Sequence, residues 1–145
     1  MKTKLNEYSL KITKTDFNKV KISNCNDAVN YIRQFYFDDI EIYESSFILL
    51  MNHAGYTIGY AKISQGGVTG TIMDPKIVFK YVIDSLATQF IICHNHPSGN
   101  TNPSEADKQM TKRLKEFSQL IDVNLLDHVI LTSESYYSFM EGGLL

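Results

Sequence analysis

His94 and His96 stand two residues apart at the end of an apolar run, Phe90-Ile91-Ile92-Cys93, and an acid, Asp107, follows after a loop. The full spacing is His-x-His, seven residues, Ser104, two residues, Asp107. The apolar run reads as a buried strand, and residues two apart on a strand project to one face. Both imidazoles can therefore aim at one point, with Asn95 pointing away. Asp107 falls in the first turn of the next expected helix, and the loop can bring it back toward the histidines. Two imidazole nitrogens and one carboxylate oxygen are three ligands for a tetrahedral zinc. A fourth position left to water is the catalytic rather than the structural pattern. Zn2+ there, one ion per chain, would lower the pKa of its bound water to about 7 and polarise a substrate carbonyl.

The same residues have plainer readings. Ser104 with an acid three positions on, preceded by Pro103, is a helix start of the capping-box type. The two readings are compatible, because a capped helix start can also carry a ligand. Ser104 could further donate its hydroxyl to an oxyanion developing on a carbonyl. His128 lies in an apolar stretch and reads as a hydrogen-bonded core histidine, or one that supports a metal ligand from behind. His53 sits in a turn and reads as exposed and uninvolved.

Such a site needs a base to take the proton from water. Glu105 is too close to Asp107 and leaves the helix on another side, and Glu141 is near the tail. Glu44 enters the apolar stretch 47–51 directly, where an acid is costly unless paired or functional. Glu44 is the choice on that ground, with Glu41 as good a one from the residues alone.

Around these residues the chain must supply positioning elements. Residues 8–14 alternate apolar and polar, which predicts a strand, with Val20-Lys21-Ile22 as partner. A helix is expected over about 26–37, after N-cap candidates at 23–27. Residues 47–51 read as a central strand buried on both faces. Asn52-His53-Ala54-Gly55 reads as a hairpin turn and 56–64 as the returning strand, followed by a short strand at 68–72. Asp74-Pro75 opens a helix with Ile77, Val78, Tyr81, Val82 and Leu86 on one face. A strand at 89–94 leads into the loop. A helix from about 104 to 119 places Ala106, Met110, Leu114 and Phe117 inward and Lys108, Lys112, Arg113 and Lys115 outward. A strand at 123–132, interrupted by Asp127-His128, and a short one at 136–140 complete the chain. The pattern predicts a single α/β domain with a mixed β-sheet flanked by helices.

The 145 residues carry 43% hydrophobic and 21% charged side chains, which is ordinary globular composition. No apolar run approaches the roughly 18 residues of a membrane span. The first residues lack the apolar core of a secretory signal. The two cysteines, Cys25 and Cys93, make neither a disulfide framework nor a zinc knuckle. A cytoplasmic location is the resulting expectation. The net charge of −2 is uneven: residues 1–24 carry six lysines against Glu7 and Asp16, and residues 25–145 carry the acidic balance. Such a basic N-terminal arm or strand could touch nucleic acid or an acidic partner. The plainer reading is a solvated face or a protected sheet edge. A strand edge within 8–22 could also support a dimer.

Glu44, His94-x-His96, seven residues and Ser104-x-x-Asp107 together resemble the JAMM (MPN+) metallopeptidase signature. The wording His-Asn-His-Pro-Ser-Gly, followed by Pro103-Ser104-x-x-Asp107, is similar to the RadC-like branch of that family, the JAB-domain proteins often described as DNA repair proteins. Gly66-Gly67-Val68-x-Gly70-Thr71, Asp74-Pro75-Lys76, Leu126-Asp127-His128-x-Ile130 and Tyr137-Ser138-Phe139 add to the likeness, which spans roughly residues 25–145. The resemblance implies a JAMM/MPN fold related to cytidine deaminases. It implies His94, His96 and Asp107 as zinc ligands, Glu44 as catalytic acid/base and Ser104 as oxyanion support. It implies hydrolysis of a peptide or isopeptide bond in a peptide or protein substrate that the sequence does not specify. Full-length RadC proteins resemble this domain preceded by a helix-hairpin-helix segment. The first 24 residues are too short for that segment and lack its glycine hairpins. A DNA-associated accessory role and a metal-stabilised scaffold without turnover are the competing expectations.

Overall fold

The computed structural model describes residues 3–67 and 73–145. In chain order the elements are α1 (Cys25–Ile32), a 3-10 turn (Arg33–Phe35), β1 (Ser45–Met51), β2 (Thr57–Gln65), α2 (Pro75–Ser85), β3 (Gln89–Asn95), α3 (Glu105–Leu120), β4 (Asn124–Leu131) and β5 (Tyr136–Ser138). The strands form one sheet in the order β2-β1-β3-β4-β5. β1 is antiparallel to both β2 and β3, β3 runs parallel to β4, and β5 returns antiparallel to β4. This is the single-domain mixed sheet flanked by helices expected from the sequence. No helix among the described residues is long and apolar enough to cross a membrane.

The centre of the sheet is β1 and β3, and both are apolar for a reason. All seven residues of β1 are buried, and so are Phe90 to Asn95 of β3. A fully buried Leu, Ile or Phe side chain contributes roughly 1.5–3 kcal/mol, so such runs gain most where both faces are covered. The period of two along β3 then separates two cores. Ile91 and Cys93 pack with Ala28, Val29 and Ile32 of α1 and with Phe35 and Tyr36. Phe90 and Ile92 pack with Val78, Phe79 and Val82 of α2 and with Leu114 of α3. Continued to the strand's end, this alternation sends His94 toward the α2–α3 face and Asn95 toward the α1 face.

The hairpin turn between β1 and β2 forms as its composition suggests. Asn52 Oδ1 accepts from the N–H groups of Ala54 and Tyr56, and Gly55 takes φ +84°. A Cβ at Gly55 would also come within 3.3 Å of the Ile22 carbonyl. His53 is exposed in this turn, at the opposite end of the sheet from His94. Asp74 caps α2 by accepting from the Lys76 N–H, with Pro75 in the first turn.

Several expectations need correction. The alternation over residues 8–14 does not become a strand: Tyr8, Leu10 and Ile12 are exposed. Lys21 instead bridges to Tyr56, and the Thr57 N–H donates to the Val20 carbonyl, so the chain meets the β1–β2 hairpin rather than its own preceding segment. The stretch 68–72 lies outside the described residues. In α2 the buried residues are Val78, Phe79 and Val82. Ile77 is partly exposed, and Leu86 terminates the helix in the left-handed conformation with its side chain out. Phe79 turns inward because it meets the rings of Phe90 and Phe117. In α3 the buried residues are Thr111, Leu114 and Ser118, whereas Ala106 and Phe117 are exposed. The strand around Asp127-His128 is not interrupted, and both residues are buried within β4.

Candidate metal centre

Where β3 leaves the sheet, its last inward-facing side chain is His94, only 2% exposed. His96 follows just past the strand and is half-buried. The two Nε2 atoms lie 3.0 Å apart, so the His-x-His spacing brings both rings to one point as expected. From α3, Asp107 Oδ1 lies 3.3 Å from His94 Nε2, and Oδ2 lies 3.7 Å from His96 Nε2. Glu44, His94 and His96 each offer one ligand atom, and these atoms all lie within 4.8 Å of one another. Glu44, His94 and His96 thus form one close group, and Asp107 faces both histidines from α3.

Glu44 arrives by strand register. β1 pairs with β3 so that Ser46 faces His94, and two further steps place Glu44 beside His96. The Glu44 N–H donates to the Gly67 carbonyl and its own carbonyl accepts from Gly66, which fastens it to the end of β2. Asn95 fixes the approach from the other side. Its Oδ1 accepts from the Ser45 N–H at 2.7 Å, and its Nδ2 donates to the carbonyls of Ile40 at 2.6 Å and Tyr43 at 2.8 Å. Asn95 does point away from the histidines, and in doing so it holds the segment that carries Glu44. Glu41 is exposed, Glu105 pairs with Lys108 at 2.8 Å, and Glu141 is exposed near the chain end.

Asp107 is oriented by the helix start itself. The Ser104 hydroxyl accepts from the Asp107 N–H at 3.1 Å, and Asp107 Oδ2 accepts from the Ser104 N–H at 2.8 Å, a complete capping box. One oxygen of the carboxylate serves the cap while the other faces His94. Burial alone would lift the Asp107 carboxyl. Against it stand the His94 imidazole, whenever that ring presents a proton to the carboxylate, and the donors of the Ser104 backbone and side chain, and together they hold the carboxyl well below the usual range. Asp107 is therefore ionised at neutral pH. Ser104 is the cap, and as a hydroxyl it retains a hydrogen to donate.

Behind the histidines, the remaining ring nitrogens are all engaged. His96 Nδ1 sits 2.6 Å from the Asn100 carbonyl. A carbonyl only accepts, so His96 carries its proton on Nδ1 and turns the Nε2 lone pair toward Asp107 and His94. His94 Nδ1 lies 2.8 Å from His128 Nε2, and His128 Nδ1 lies 2.6 Å from Thr111 Oγ1. The His128 ring is 1% exposed and stacks flat on Phe139, with centroids 4.5 Å apart. Burial drives its imidazole well below the ordinary range, so it stays neutral. Asp127 beside it accepts from Ser138 Oγ and from the N–H groups of His128 and Met140, which explains why this acid is tolerated within β4.

The donor chemistry fits a divalent cation of zinc's preference. Two imidazoles and a carboxylate are its ordinary catalytic ligand set, and a second carboxylate stands beside them. The carboxylates and the His96 lone pair are acceptors converging on one region, and such a group is relieved by a cation. Two contributors, Asn95 and Thr111, were not singled out as functional in the sequence. Asn95 is a polar amide inside an apolar strand, and that is a signal. Thr111 stands four residues after Asp107, on the same helix face. His128 was legible as a core or supporting residue but without a partner. The two thiols are not part of the site. Burial pushes Cys93 up to about 12 and Cys25 to about 11, and no disulfide joins them.

Comparison with known proteins adds a relationship to this geometry. The sequence model of the RadC-like JAB domain matches residues 22–144. A UPF0758 protein of Flavobacterium johnsoniae is 46% identical over 102 residues, covering 70% of this chain and 44% of that protein. A UPF0758 protein of Chlorobaculum parvum is 34% identical over 125 residues, covering 86% of this chain and 55% of that protein. A third, from Porphyromonas gingivalis, is 38% identical over 103 residues, covering 70% and 45% respectively. The chain spans about half the length of the curated relatives it matches.

Proposed function

The chain belongs to the RadC-like JAB domain family, and from that premise we propose that it is a zinc-dependent metallohydrolase acting on an amide bond of a peptide or protein substrate. Its mixed five-stranded sheet and three helices agree with the JAB/MPN α/β fold. The observation that carries the reading is the convergence of Glu44, His94, His96 and Asp107, from the entry of β1, the end of β3 and the start of α3. His94, His96 and Asp107 would hold the ion. When bound, zinc supplies Lewis acidity toward a carbonyl and makes water a nucleophile near neutral pH.

The chain's own groups divide the rest of the work. Glu44 is half-buried and within reach of the histidine pair. Its carboxylate takes the proton of the attacking water and returns it to the leaving amine nitrogen. The Ser104 hydroxyl donates to the substrate carbonyl oxygen as negative charge develops there. Asp107 stays ionised at neutral pH, held so by the capping box with Ser104. Asn95 and the Gly66–Gly67 backbone keep Glu44 at the site without touching substrate.

The test combines metal analysis with a charge-removing variant. Purified protein should bind one zinc per chain. Glu44→Gln should keep the zinc and lose hydrolysis of a responsive peptide by roughly 10²–10⁴-fold, the usual weight of general acid–base catalysis. A protein that takes up no zinc, and in which His94→Ala changes nothing measurable, would end this reading.

A further inference from the structure

We propose that Thr111 and His128 are positioning residues that lock His94 in its metal-binding tautomer. The inference rests on the metal reading above and concerns how this chain prepares the ligand.

The logic is a count of hydrogens along a closed chain of contacts. Thr111 Oγ1 lies 2.7 Å from the carbonyl of Asp107, one helical turn earlier. A carbonyl can only accept, so the single hydroxyl hydrogen of Thr111 is committed to it. Thr111 Oγ1 must then accept from its other partner, His128 Nδ1, at 2.6 Å. His128 thus carries a proton on Nδ1. One further proton lies between His128 Nε2 and His94 Nδ1, 2.8 Å apart. A neutral imidazole carries a single N–H, and that of His128, buried and stacked on Phe139, is already spent on Thr111 through Nδ1. His128 Nε2 therefore accepts, and the proton between the two rings belongs to His94 Nδ1.

His94 Nε2 is therefore bare. It faces His96 Nε2, made bare by the Asn100 carbonyl, at 3.0 Å, and Asp107 Oδ1 at 3.3 Å. The chain of contacts closes on itself. The residue whose carboxylate faces the histidines also supplies, through its backbone carbonyl, the acceptor that sets the tautomer of His94. Without the Thr111 hydroxyl, His128 is free to carry its proton on Nε2 and donate to His94 Nδ1. That would leave His94 with an N–H aimed at the ligand cluster, where no metal can bind it. Neither Thr111 nor His128 touches the ion or the substrate in this arrangement. They act through His94, as supporting partners of metal-bound histidines do.

The experiment uses the full chain with 15N-labelled histidine, together with Thr111→Val and Thr111→Ser. Valine is nearly isosteric and removes the hydroxyl, and serine restores it. In metal-free wild type, ring-nitrogen shifts should show His94 protonated at Nδ1 and bare at Nε2. Zinc affinity, measured by competition with a chromophoric chelator, should fall about 10–100-fold in Thr111→Val. It should stay within about threefold of wild type in Thr111→Ser. A metal-free wild type with His94 protonated at Nε2 overturns the proposal, as does a Thr111→Val protein that binds zinc as tightly as Thr111→Ser. The tautomer measurement needs neither metal nor a variant that folds. A protein that shows the expected tautomer yet takes up no zinc would refute the metallohydrolase reading and leave the relay standing.

Discussion

Replacing Asn95 with alanine should destabilise the fold by about 2–4 kcal/mol, and replacing it with aspartate should destabilise it more. Asn95 is fully buried and makes three hydrogen bonds, all to backbone groups of residues 40–45. In alanine all three are lost. The Ser45 N–H is buried and has nowhere else to turn, at a cost of about 1–3 kcal/mol. The carbonyls of Ile40 and Tyr43 lie nearer the surface and recover part of their bonding from water, so their loss costs about 1 kcal/mol together. Aspartate still accepts from Ser45, but its second oxygen meets two carbonyl oxygens where an amide had donated to both. An unpaired buried charge of this kind costs about 3–5 kcal/mol. The introduced carboxyl would therefore have its folded-state pKa raised. The penalty is present above the ordinary carboxylate range and is lost as pH falls, because the protonated acid can donate to one carbonyl. Urea unfolding followed by circular dichroism at pH 7 and at pH 5 measures this directly. The expected order at pH 7 is wild type, then alanine, then aspartate, with the last two converging at pH 5. An alanine variant within about 0.5 kcal/mol of wild type, or an aspartate variant more stable than alanine at pH 7, would refute the assignment of Asn95 as the clamp on the segment carrying Glu44.

Zinc at a thousandfold excess over its dissociation constant should stabilise the protein by about 4 kcal/mol, read as a raised unfolding midpoint that a chelator reverses. Asp107→Asn should weaken both that stabilisation and the α3 cap, whereas Ser104→Ala should cost only the cap, about 1 kcal/mol, and leave zinc affinity nearly unchanged. Burial raises the Asp127 carboxyl despite its three donors. Its ionised form therefore subtracts stability above the unfolded-state carboxylate range, and the subtraction disappears as pH falls. Asp127→Asn, which can accept the same backbone N–H groups, should match or exceed wild type in thermal melts at pH 8 and lose that advantage at pH 4. A variant less stable than wild type at both pH values would contradict this.

Much of the fold and of the candidate site was legible because the chemistry that positions the site is local. His-x-His at a strand end, an acid one turn into a helix and a serine three residues before it are all short-range patterns. The period of a strand and the geometry of a helix cap decide where those side chains point. Two strands announced themselves as apolar runs at 47–51 and 90–93, and the strands that contain them proved to be the centre of the sheet. What the sequence hid was set by pairing between distant elements. The alternation of Tyr8, Leu10 and Ile12 is a strand pattern without a ladder, since residues 20–22 are taken by the β1–β2 hairpin. The inward face of α3 was misjudged because its innermost side chains include a threonine and a serine. Apolar periodicity selects Phe117 and Ala106, but Thr111 is inside because His128 is there to receive it.

The polar residues on the two faces of β3 show why the site and the fold are difficult to separate. A strand that is buried on both faces has no inexpensive place for histidine or asparagine unless every hydrogen is placed. His94 satisfies that demand toward α3, through His128 and Thr111, while keeping one lone pair unmet at the ligand cluster. Asn95 satisfies it toward α1 by spending all its capacity on backbone, and so brings Glu44 to the same cluster from the neighbouring strand. One side chain at the strand's end is thus left deliberately incomplete, and its neighbour is complete. That asymmetry follows from the position rather than from either residue type. A substitution that exchanged the two, His94→Asn with Asn95→His, would conserve composition and burial. It would nevertheless remove the unmet lone pair from one face and release the segment 40–45 on the other. The double variant should therefore lose stability beyond what the single Asn95→Ala variant loses, and zinc should restore none of it.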